Sequence, residues 1–103
     1  MAGELDGDAL EWVGSAVDRI SRELDLPIDR GEWLPASADD RRRLVRGLEI
    51  FAVGQRIVID FTDEELDDCL TTPEVQRTLE ERIRDQLRSV QSRARRGPRG
   101  IGF

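Results

Sequence analysis

At 103 residues, with 38% hydrophobic and 37% charged residues, the chain is sized for one domain around one core, and it holds too much Leu, Ile, Val and Phe to be wholly disordered. Its formal charge of −6 is unevenly spread: residues 1–81 hold nine Arg against twenty-one acids (−12), and residues 82–103 hold seven Arg against one acid (+6). The absence of His and the single Cys exclude Ser-His-Asp and Cys-His catalysis, imidazole or thiolate zinc sites and an internal disulfide, and no apolar run approaches the ~20 residues of a membrane span.

Residues 1–7 read as a flexible lead, acidic and without the apolar core of a signal peptide. Asp8 then caps a helix whose apolar positions, Leu10, Val13, Val17, Ile20 and Leu24, are spaced 3, 4, 3, 4. Pro27 ends it. Residues 25–36 form a connector, with Trp33 expected to pack on the helices as a lid. Ser37 is expected to open a second helix. Asp39 and Asp40 fall in its first turn, Leu44, Leu48, Phe51 and Ala52 line its buried face, and Gly54 takes the left-handed position after its end. Residues 56–61 alternate over a β-branched run and read as a strand.

Thr62 with Glu65 forms a capping box, opening a short helix with Leu66, Cys69 and Leu70. Thr72-Pro73 starts a long final helix with the stripe Val75, Leu79, Ile83, Leu87 and Val90, and with a surface pair Glu80–Arg84. It is expected to run to about Ser92 or Arg95. The glycines and Pro98 near the end forbid further regular structure. The expected fold is therefore mainly α, a small domain over residues 8–92 with three to four amphipathic helices and one short strand, followed by a basic arm at 93–103. Its core is expected to unite Val17, Ile20, Leu48, Phe51, Leu79 and Ile83.

A lone strand leaves backbone groups unpaired. Its partner is expected to be a cryptic segment around residues 32–34 or the same strand of a second chain, making Ile57, Ile59 and Phe61 a self-association element. The order strand 56–61, short helix, long helix resembles a ribbon-helix-helix unit over roughly residues 55–90. That resemblance implies a dimer pairing one strand from each chain and reading the major groove with polar strand residues. The short first helix and the acidic cluster behind Asp60 depart from the family's pattern.

The remaining clusters read plainly. Asp63, Glu64, Asp67 and Asp68 lack the order of a calcium loop and read as a solvated helix face. Arg41, Arg42, Arg43 and Arg46 read as a salt-bridged face, with Asp39 paired to Arg43. Cys69 reads as a buried small hydrophobe. No cofactor is implied.

The arm differs. Arg93, Arg95, Arg96 and Arg99 stand free of acids, and Ile101 and Phe103 alternate with Gly as apolar anchors. The expected function is a non-enzymatic interaction or assembly protein, an adaptor or structural subunit of a larger complex, with a small phage or viral structural component as one concrete version, docking through this arm to a protein partner. A nucleic-acid-binding regulator is the alternative, and a carboxylate-based enzyme a distant third. The expected location is cytoplasmic or virion-associated. All sixteen basic residues are Arg, a pattern that a GC-rich genome or adaptation to high salt would each produce.

Overall fold

A computed structural model describes residues 7–38 and 43–96, with side chains to Arg93. The first helix forms as its periodicity requires: α1 (Gly7–Glu23) buries Ala9, Val13, Ala16, Val17 and Ile20. It stops before Pro27 in a two-bond motif. Asp25 N donates to Arg22 O (3.1 Å) and Leu26 N to Ser21 O (2.8 Å), with Asp25 left-handed at φ 55°. The motif turns Leu26 into the core.

Over residues 30–62 the mainly-α expectation fails. Four strands follow: β1 (Arg30–Trp33), β2 (Ser37–Ala38), β3 (Leu44–Ala52) and β4 (Gln55–Thr62). Residues 44–52 are a strand, not the second half of a helix. Their 4 and 3 spacing of Leu44, Leu48 and Phe51 imitates a helical stripe. The set that is buried instead alternates: Leu48, Ile50 and Ala52. Val53 and Gly54, at φ 46° and 76°, make the two-residue turn with both central residues left-handed that joins antiparallel strands. Gly54 is thus left-handed as expected, in a hairpin rather than at a helix end.

The hairpin register, Ala52↔Gln55 to Val45↔Thr62, lays Ile57, Ile59 and Phe61 beside Ile50 and Leu48 on one buried face. β3 is central. β4 pairs along one side, and β1 and β2 follow one another along the other, joined by Leu34 N donating to Gly47 O at 2.9 Å. The fold is therefore α/β with a four-stranded antiparallel sheet, and β4 finds its partner inside the chain, in β3 rather than near residues 32–34. Trp33 is a half-buried β1 residue opposite Leu48, on the helix-facing side of the sheet and tilted against Phe61 with ring centroids 5.8 Å apart, so it packs on the core shared with the helices from a strand rather than from an irregular connector.

The capping box forms. Glu65 N donates to Thr62 Oγ1, Thr62 N donates to Glu65 Oε1, and α2 (Asp63–Asp68) begins directly after β4. Leu66 and Cys69 are buried, while Leu70 is exposed. α3 (Pro73–Arg96) starts at the proline and buries Leu79, Ile83, Leu87 and Val90. Glu80 and Arg84 do not pair with each other. Glu80 accepts from Arg19 (2.7 Å) and Arg84 donates to Glu23 (3.0 Å), so both clamp α3 to α1. Gln91 donates to Leu24 O farther along, so α1 and α3 run in the same direction. These helices and the inner sheet face share one core. Phe51 is not in it. It lies on the opposite sheet face, half-buried, with the Arg30 guanidinium 4.6 Å above its ring.

Candidate interaction site

Strand geometry sets what the sheet offers a partner. Along a strand, the N–H and C=O of successive residues point alternately to the two sides. Gly47 O and Phe51 O of β3 accept from Leu34 N and Asp29 N on the β1 side, so Leu48 and Ile50 address β4. Their register partners Ile59 and Ile57 address β3 in return. The backbone groups of Arg56, Val58, Asp60 and Thr62 therefore point out of the sheet, along the free edge of β4.

One end of that edge is closed by side chains. Arg82, from α3, donates through Nη1 to Asp60 O (3.0 Å) and to Glu65 Oε1 (2.8 Å), and through Nη2 to Glu65 Oε2 (2.6 Å). Glu65 in turn accepts from Thr62 N (2.9 Å). The pair thus satisfies an outward carbonyl and an outward N–H of the edge strand with one fork-shaped contact. The Arg82 hydrogen bond holds the Glu65 carboxyl below its ordinary range, against the opposing effect of burial and helped by the Thr62 N–H. The same bond, from the other side, raises Arg82 above its own ordinary value. The pair borders an open groove of about 560 Å³ between β2, β4, α2 and α3, to which Ser37, Arg43 and Val45 also contribute.

The second surface is the sheet face opposite the helices. Leu34, Val45, Phe51 and Val58 are half-buried along it, with Leu34 and Val58 both lying over Gly47, and Arg30, Glu49, Arg56 and Asp60 share the same face. Arg56 Nε pairs with Glu49 across the hairpin. Gly47 sits beneath this patch because nothing larger fits: a Cβ there would stand 2.8 Å from Val58 Cγ1 and 3.1 Å from Asp60 Oδ1.

The sequence-expected residues fall as follows. Ile57, Ile59 and Phe61 are buried and face the helices, so their side chains hold the chain's own core and present nothing to a second chain. The N–H of Ile59 belongs to the β3 ladder, and a proline there would break the internal sheet rather than an assembly. The ribbon-helix-helix expectation of a strand paired between chains meets the same fact, since β4 lies in an intramolecular hairpin. Arg93 is exposed on α3, which passes through Ser92 unbroken to Arg96. Arg95 and Arg96 are helical in backbone. Arg99, Ile101 and Phe103 lie outside the described residues, as do Asp39, Asp40, Arg41 and Arg42. Among the described residues no group of three or more Cys, Asp or Glu is placed to hold a metal ion, and no helix is long and apolar enough to cross a membrane.

Sequence reasoning found Glu65 through the capping box but missed Arg82, which is 17 residues away and carries no local signal. It also missed the open sheet face. The two alternating runs flanking a two-residue Val-Gly turn were the signal that could have revealed it. Comparison with protein-family models, curated proteins and solved structures returned no match.

Proposed function

We propose that the chain is a non-enzymatic interaction or assembly protein that docks through the basic end of α3 and the arm beyond it. The observation that carries this reading is a charge separation built onto one helix. Among the residues of α3 whose side chains are described, up to Arg93, the last buried one is Val90; the helix continues to Arg96, and no acid follows Asp85 in the sequence. Arg88, Arg93, Arg95 and Arg96 thus extend from an acidic body at a helix C-terminus, where the dipole favours cations. The partner that fits is a protein surface with an acidic rim and an apolar pocket. Arg93, Arg95, Arg96 and Arg99 meet the rim, and Ile101 and Phe103 fill the pocket. The state of the groove supports interaction over carboxylate chemistry. Both oxygens of Glu65 are engaged, by Arg82 and by Thr62 N, so this carboxylate is held as a structural clamp.

The test uses two variants of the full chain in pull-downs from the native source and in titrations with duplex DNA. Removing residues 100–103 should abolish capture of a protein partner and leave any DNA binding nearly unchanged. Changing Arg93, Arg95, Arg96 and Arg99 to Gln should weaken both and flatten the salt dependence of DNA binding. Tight, strongly salt-dependent duplex binding that survives the short truncation would favour a nucleic-acid regulator. Capture that neither variant alters would refute the role of the arm.

A further inference from the structure

We propose that two copies of this chain associate through their β4 edges, antiparallel about a two-fold axis at Val58. The free edge is usable only in part. Thr62 N is taken by Glu65, and one lone pair of Asp60 O is taken by Arg82. The outward groups of Arg56 and Val58, with Asp60 N, remain for a ladder. Among residues 56–60, Val58 is the centre.

Self-pairing about that centre is complementary at every outward position. Val58 meets the partner's Val58, exchanging two backbone bonds and joining two apolar side chains. Arg56 meets the partner's Asp60, and Asp60 meets the partner's Arg56. Opposite charges directly across a ladder stabilise it, and like charges destabilise it. A parallel pairing in register would instead set Arg56 against Arg56 and Asp60 against Asp60. Arg56 gives its Nε to Glu49, and its guanidinium has further donors for the partner's carboxylate. The Glu65–Arg82 closure stops the ladder from sliding toward Thr62, which fixes the register that places the charges. The arrangement is isologous, so it closes at two copies and does not grow a fibre. Because only a short strand and the sheet rim are covered, the contact falls short of the ~1,000 Å² of a stable interface, and the dimer is weak and concentration-dependent.

Sedimentation equilibrium of the full chain over a wide concentration range tests this. Wild type should show a reversible monomer–dimer equilibrium. Arg56→Asp and Asp60→Arg should each weaken it by roughly tenfold or more, because each places like charges across both symmetric pairs. An equimolar mixture of these two variants should associate again, since every cross-strand pair in the mixed dimer is opposite in sign. Val58→Pro removes an outward donor that β3 does not use, and it should abolish dimerisation while circular dichroism stays native. Deleting residues 93–103 should leave the equilibrium unchanged, which separates this contact from any docking by the arm. The proposal is overturned if wild type stays monomeric at the highest attainable concentration. Single variants that dimerise like wild type, mixing that restores nothing, or loss of the dimer with the arm would overturn it equally.

Discussion

Arg82→Met isolates the contact that closes the β4 edge. The change keeps an unbranched apolar stem on α3 and removes three donations at once: 2.8 and 2.6 Å to Glu65 and 3.0 Å to Asp60 O. A charged hydrogen bond contributes about 1.5–3 kcal/mol when well shielded. Here the two side chains are 31% and 26% exposed, so water takes over much of what is lost. We expect a loss of roughly 1–2 kcal/mol at neutral pH, near the upper end for a partly exposed pair because the geometry is bidentate.

The pH dependence carries the sharper expectation. The Glu65 carboxyl is lowered from 4.5, first by the Arg82 hydrogen bond. A lowered carboxyl contributes stability that is fully present above its unfolded value and is lost as pH falls through its folded value. Arg82 is raised above its ordinary value by the same bond and stays charged throughout, so it adds no slope in acid. The gap between wild type and Arg82→Met should therefore be constant from neutral pH down to about 4.5 and shrink below it. Urea unfolding followed by the fluorescence of Trp12 and Trp33 measures this at pH 7 and in steps toward pH ~3. A gap under about 0.5 kcal/mol at pH 7, or one that is unchanged in acid, would show that the pair does not stabilise the edge.

Three further outcomes follow from positions the sheet defines. Phe61→Ala should cost about 3–5 kcal/mol by chemical denaturation and Phe51→Ala much less, because Phe61 is fully buried and Phe51 lies half-buried on the outer face; equal costs would put the core on the wrong side. Val53→Asn should raise stability by about 1 kcal/mol, or roughly 4–8 °C in Tm, since a β-branched residue is strained at φ 46° and Asn tolerates it, whereas Val53→Ala should bring no such gain. Gly47→Ala should cost about 1–3 kcal/mol in the same unfolding assay, because its Cβ would press on the stiff Val58 side chain.

Local sequence determined the elements whose signals are complete within one turn or one run. The periodicity of α1 and α3, the Thr62–Glu65 box, Pro73 at the head of α3 and the alternation of β4 all appear where the residues place them. The helices and the capping box rest on backbone groups satisfied within a few residues, so no distant neighbour is needed to decide them, whereas the alternation of β4 marks a strand but leaves its pairing partner to the fold. The conformation of residues 44–52 was not decided that way. Leu44, Leu48 and Phe51 suit a helix face, while Leu48, Ile50 and Ala52 suit a strand face, and local propensity does not separate the two. The hairpin through Val53-Gly54 does, because it lets β3 satisfy its backbone on both sides at once, against β4 and against β1 and β2. The same pairing turned Phe51 outward and Phe61 inward, since a face is assigned by register and not by the residue itself. Arg82 met Glu65 only because α3 crosses behind β4, a juxtaposition that exists in the folded chain alone.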